Sequence, residues 1–169
     1  MMKKRIGKHA IAAGLAALAL VSVGGSHARL DVDDQGFVTL LPGAEEWSDY
    51  PGIPGIQYML VEGDLKKAGP YVIRVKFAPG VMSMPHYHPE DRLVTVIKGT
   101  WWSGKGESFA PDTTTPLPAG SFMKHPAGGA HYDGAKDGEV IVQIAGMGPS
   151  GTIFYQPDLG RTGRSVPAR

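Results

Sequence analysis

From Tyr71 to Phe77 apolar and charged residues alternate: Ile73, Val75 and Phe77 share one face, Arg74 and Lys76 the other. A period of two marks a strand with one buried face. QYMLVEGD reads as a strand ending in a turn at Gly63-Asp64. LVTVIKG and TWWSG are expected to pair about a turn at Lys98-Gly99, and EVIVQIAG and GTIFYQP supply the last two strands. A Pro/Thr-rich loop, APDTTTPLPAG, precedes SFMKHPAGGAHYDG. Glycine-containing turns recur near residues 80, 99, 105, 120, 128, 134, 138 and 148. Short strands at that spacing, with no long amphipathic helical pattern beyond the first 28 residues, predict an all-β sandwich or barrel in one domain.

The two ends read differently. MMKKRIGKHA carries Lys3, Lys4, Arg5 and Lys8, followed by an apolar run from Ile11 to Val23 and then Ser26-His27-Ala28. That is the layout of a signal peptide, residues 1–28, cleaved near Ala28. The run is short for a membrane span, which needs about 20 residues, so no stable membrane association is expected after cleavage and the protein is expected to be periplasmic or secreted. Residues 29–56 are rich in Pro, Gly and acidic groups and read as an extended arm, with Trp47 and Tyr50 as anchors. The barrel is expected over 57–156, and 157–169 is a basic tail expected to fray.

Composition narrows the classes. The chain has 169 residues, 20% charged and 42% hydrophobic, as a globular domain does. Of its 17 basic residues four lie in the leader, so 13 remain against 16 acidic, a net charge of −3. Nothing there suggests nucleic acid as a partner. There is no cysteine, hence no disulfide and no lipidated cysteine. Stability must come from a packed core, which about 140 residues can supply.

Candidate chemistry is confined to one stretch. After the leader four histidines remain, His86, His88, His125 and His131, all between Pro85 and Tyr132. On an extended strand His86 and His88 face the same way and Tyr87 the other. Two imidazoles on one face can share an ion, and a third from a neighbouring strand leaves open positions for water or substrate. Glycines and a proline surround these histidines at fixed offsets, which fixes turns and so strand register.

The two blocks resemble the paired motifs of the cupin superfamily. The first motif, G-x5-H-x-H-x(3,4)-E-x6-G, is met by Gly80, His86, His88 and Gly99, with Arg92 at the glutamate position. The second, G-x5-P-x-G-x2-H-x3-N, is met by Gly120, Pro126, Gly128 and His131, with Ala135 at the asparagine. Eight of ten defined positions match. The resemblance implies a small double-stranded β-helix, the cupin jelly-roll barrel, often homodimeric, with His86, His88 and His131 at metal-ligand positions. GDLKKAGPYVIRVKFAPG and VIVQIAGMGP also look like a bacterial branch related to the sensor domain of ChrR-type anti-sigma factors.

Arg92 is the departure that matters. A guanidinium has no lone pair for a metal and adds a positive charge beside one. Three readings stay open. In the first, three histidines suffice, as in the thiol dioxygenases and a diketone-cleaving dioxygenase among cupins, with Arg92 turned aside or holding an anionic substrate group. His125, on the face of SFMKH shared with Ser121 and Met123, could join as a fourth ligand. Or the pocket is metal-free. Asp133-Gly134 is read as a turn, Met82, Met84 and Met123 as pocket lining, and Tyr87, Tyr132, Trp101 and Trp102 as packing aromatics.

The expectation is an exported cupin holding one divalent metal ion, Fe(II) by preference with Zn, Mn or Ni as alternatives. The expected activity is oxygenase chemistry on a small organic substrate, with Arg92 orienting it and His125 acting as base. The alternatives are a redox-neutral isomerase or lyase and a non-catalytic binding protein.

Overall fold

The structure is a computed structural model and describes residues 30–164; the expected signal peptide, 1–28, and residues 165–169 of the tail lie outside the described residues. In chain order the strands are β1 (Asp31–Val32), β2 (Val38–Thr39), β3 (Ser48–Asp49), β4 (Ile56–Glu62), β5 (Gly69–Phe77), β6 (Val81–Ser83) and β7 (His86–Tyr87). Then come β8 (Arg92–Lys98), β9 (Thr100–Lys105), β10 (Thr115–Pro118), β11 (Phe122–His125) and β12 (His131–Gly134). The last are β13 (Val140–Gly148), β14 (Ile153–Phe154) and β15 (Thr162–Arg164). Among the described residues the only helical pieces are two 3-10 turns, Pro111–Thr113 and Pro157–Leu159.

Two sheets face each other. One runs β11-β8-β13-β5-β4-β3; the other runs β10-β9-β12-β6-β15, with β7 bridging β12 and β14; β1 and β2 form a separate hairpin. The sequence alternation is what builds the first sheet. Inward positions of β5 (Ile73, Val75, Phe77), β8 (Val94, Val96) and β13 (Val140, Val142, Ile144) are buried, while Arg74, Lys76 and Thr95 face out. Each such side chain contributes about 1.5–3 kcal/mol by leaving water. β13 pairs antiparallel with β5 from Val140↔Phe77 to Gly148↔Gly69, so their apolar faces stay in phase.

The two sequence motifs are cross-linked through backbone. Gly80 N–H donates to Lys136 O at 2.7 Å, Ala135 N–H to Val81 O at 2.8 Å, and Gly128 N–H to His88 O at 2.8 Å. The glycines before β6 and in the turn ahead of β12 therefore set the depth at which the histidine strands meet.

Several sequence expectations are corrected. β8 and β9 do not pair as a hairpin; the chain leaves one sheet and enters the other at Gly99. That crossing needs φ +77° and brings the Gly99 backbone under Glu139 O. The arm is not merely draped on the surface: β3 extends the first sheet along β4, and Ile53 and Ile56 are in the core. The tail is not frayed as far as Arg164, because β15 pairs with β6 through Thr162↔Ser83. Asp133-Gly134 is not a turn but part of β12, held between β9 and β6. Gly134 permits this, since a Cβ there would stand 2.3 Å from Val81 O. Of the methionines read as pocket lining, Met82 and Met84 flank Ser83, which alone of β6 lines the inner cavity.

Gly99→Ala combines a left-handed backbone with a carbonyl 2.4 Å from the new Cβ, and should cost about 1–3 kcal/mol. Gly138→Ala, with nothing within 4 Å, should leave the urea midpoint unchanged. Equal midpoints for the two variants would show that the Gly99 crossing is not strained against side chains.

Candidate metal centre

The cavity between the sheets is built from both. β7 and β12 place His86 opposite His131, and β8 and β11 place Arg92 opposite His125. His88 follows β7, held by the Gly128 hydrogen bond to its carbonyl. The walls include Tyr50, Ile53 and Ile56 from the expected arm, along with Val94, Trp101, Ile144 and Phe154. The space is about 50 Å³, room for about three or four waters.

All four histidines are buried. Three of them share one bonding scheme. His86 Nδ1 lies 2.8 Å from Met84 O, His88 Nδ1 2.7 Å from Gly151 O, and His131 Nδ1 2.8 Å from Gly129 O. A carbonyl can only accept, so each Nδ1 carries the hydrogen and each Nε2 presents a lone pair. The ring centroids of His86 stand 4.8 Å from His88 and 4.3 Å from His131, and those of His88 and His131 are 5.1 Å apart. One ligand nitrogen from each lies within 4.8 Å of the other two. Backbone carbonyls that fix a ring and its tautomer are what orient histidine ligands.

Burial keeps these rings neutral. It pushes His86 down to about 3, helped by the charge of His131, and His131 down to about 4. His125 is lowered to about 2 by burial and then by His131, and His88 is lowered strongly by burial and then by Arg92. Neutral imidazoles are the form that binds metal. His125 Nε2 and His131 Nε2 are buried with no hydrogen-bond partner. His131 Nε2, whose lone pair is fixed by the Gly129 bond, is costly to leave orphaned unless a cation meets it. The residues thus fit a divalent ion.

Arg92 turns to the protein. Its Nε donates to Glu90 Oε1 at 3.1 Å, and its Nη2 to Ser150 Oγ at 2.7 Å and Gly151 O at 3.3 Å. Glu90 Oε1 also accepts from Ser150 Oγ at 2.6 Å and Tyr71 OH at 3.1 Å. The guanidinium and carboxylate side chains are only 6% and 11% exposed, so this is a buried ion pair. Arg92 still lines the cavity, and its Nη1 has no hydrogen-bond partner among the described residues. Asp91 points away to Lys124 and the Ala127 N–H.

Asp133 is the site residue that the sequence reading missed. It follows His131 by two on β12 and so shares its inward face. Its Oδ2 is 3.6 Å from His131 Nε2. Burial pushes its carboxyl up to about 7, against the Trp101 indole, the Arg92 charge and the Ser83 hydroxyl. Trp101 Nε1 is near enough to oppose the shift without forming a well-directed hydrogen bond. The signal was present as alternation in HYDG; the Asp-Gly turn preference masked it. His125 stacks beside the cluster, its ring 3.7 Å from His131 and 5.4 Å from Trp101.

No family model and no curated protein matches the sequence. Solved structures do. KdgF from Halomonas sp. is 21% identical, with a TM-score of 0.51, over 63% of this chain and 91% of that one. The polyketide cyclase RemF from Streptomyces resistomycificus is 15% identical, with a TM-score of 0.52, over 62% of this chain and 74% of that one. The DMSP lyase DddQ from Ruegeria pomeroyi DSS-3 is 15% identical, with a TM-score of 0.55, over 67% of this chain; the match spans 62% of DddQ. Likeness at these identities is likeness of fold.

Two predictions test the electrostatics. Arg92→Met leaves Glu90 buried without its cation and should cost about 3–5 kcal/mol. Adding Glu90→Gln should recover most of that loss in a urea titration; additive losses would mean that the pair is not coupled. The second concerns acid. Four histidines titrate lower in the folded than in the unfolded chain, so their contribution is present above about pH 6.5 and lost as pH falls. Asp133, raised when folded, works the other way, its stabilisation being lost as pH rises toward 7. Near pH 5 the histidines prevail, and unfolding takes up about three protons net. The urea midpoint in EDTA should drop between pH 7.5 and 5; a flat profile would contradict neutral buried imidazoles.

Proposed function

We propose that this cupin-fold barrel is an exported metal protein that oxidises a small organic substrate with the help of one divalent ion, Fe(II) by preference with Zn, Mn or Ni as alternatives. The observation that carries the reading is the set of three Nδ1–H bonds to backbone carbonyls, which aim the Nε2 lone pairs of His86, His88 and His131 into one cavity. When bound, a redox-active ion supplies open positions for dioxygen and substrate, and a redox-inert one supplies Lewis acidity.

The chain's own residues do the rest. The imidazoles are held in the metal-binding tautomer without rearrangement. Ile53, Val94, Ile144 and Phe154 line the cavity and favour the apolar body of a substrate over water. Arg92, with Nη1 free, draws an anionic group such as a carboxylate or enolate to the wall beside His88. His125 and Asp133 stand beside His131 and can take or give a proton there. These two proton-handling groups favour a second reading, a redox-neutral isomerase or lyase. In either case the processed chain, from Arg29 on, is a periplasmic or secreted homodimer without stable membrane association.

Protein recovered from its native compartment should carry about one equivalent of metal. Chelation should lower its melting temperature by about 6–12 °C, the shift expected for an ion held at a hundredfold its dissociation constant. His131→Ala should abolish both the metal and the shift. Iron with substrate-dependent oxygen uptake supports the oxidation; a redox-inert metal with turnover supports the second reading. A metal-free protein whose stability ignores chelators would sink both.

A further inference from the structure

His131 belongs to two donor sets. One joins it to His86 and His88; the other joins it to His125 and Asp133, whose ligand atoms also lie within 4.8 Å of one another, and all three residues are buried. The second set comes from β11 and β12 alone.

The contacts within it lack a positive charge. His131 Nδ1 donates to Gly129 O, so His131 Nε2 presents a lone pair. Asp133 Oδ2, another acceptor, faces it at 3.6 Å. His125 Nε2, 4% exposed as a residue, is buried beside them and bonded to nothing. The His131 lone pair and an ionised Asp133 repel unless a cation or a proton lies between them. The spacing suits a cation: for bonds of about 2.1 Å, tetrahedral ligands stand about 3.4 Å apart.

We propose that His125, His131 and Asp133 form a second divalent-metal position in this cavity, and that His131, with a single free lone pair, lets only one of the two positions be filled at a time. Two imidazoles and a carboxylate suit Fe(II), Mn(II), Co(II) or Zn(II). Charge makes this the tighter position. Asp133 supplies the negative charge that the three-imidazole set lacks. The Arg92 guanidinium bears on His88 more than any other charge does, whereas at His125 it counts for less than His131 and His86. An ion at rest would therefore be held by Asp133, and one held by His86, His88 and His131 would lack that carboxylate.

This inference rests on the metal reading above, and cobalt separates the two. Co(II) is titrated into metal-free processed protein and followed by its visible spectrum and by equilibrium dialysis. His88→Ala should keep one equivalent at near wild-type affinity. Asp133→Asn should weaken binding about tenfold or more, and the double variant should bind none. Loss of cobalt in His88→Ala, or unchanged affinity in Asp133→Asn, overturns the second position and leaves the three-histidine site standing. A wild-type protein that binds no cobalt overturns both. Anomalous scattering from cobalt-soaked wild-type crystals tests the same point without a substitution. A peak about 2 Å from Asp133 Oδ2 supports the second position, and a peak only among His86, His88 and His131 overturns it.

Discussion

The Nδ1–H groups of His86, His88 and His131 are each committed to a backbone carbonyl, and every chemical property of the cavity follows from that arrangement. The bonds leave no freedom of tautomer, and they tie each ring to a different loop: Met84 before β7, Gly151 before β14 and Gly129 before β12. The rings are therefore held by backbone geometry rather than by one another. Burial then removes the competing state, since a proton on these imidazoles is as poorly solvated as an unpaired charge in any apolar interior.

Around that trio the charges are arranged in an unusual order. The position where the two motifs lead one to expect a carboxylate is held by Arg92, and the nearest carboxylate, Glu90, has turned to the arginine. Their mutual attraction, shared with Ser150 and Tyr71, settles the positive charge at one end of the cavity. The acidic group available to the histidines is Asp133, from the interior of the opposite sheet. Acid and base have in effect changed sides relative to the motif, while the imidazoles between them stay where the glycines put them.

Much of this could be read from the chain. Alternation in YVIRVKF and VIVQIAG identified β5 and β13, because those strands have one wet and one dry face. The spacing of Gly80, Gly99, Gly120 and Gly128 located the turns, and the histidines fell together as the spacing required. What could not be read was written in backbone rather than in side chains. β3 and β15 are two or three mostly exposed residues held by main-chain hydrogen bonds, and such pairing leaves no apolar signature. The Gly99 crossing looks like a hairpin turn from sequence because both need a positive φ. Asp133-Gly134 looks like a turn because local preference favours one; pairing on both edges of β12 overrides it.

The loop before β14 carries a further consequence. Gly151 O orients His88, Ser150 and Gly151 hold Arg92, and β14 pairs with β7 across Phe154↔His86. Residues some 60 positions apart must therefore meet before the site exists. The first motif alone makes no competent cradle. His88 stays without its positioning carbonyl until residues 150–154 have folded against it, so the cradle closes only when both halves of the barrel are in place.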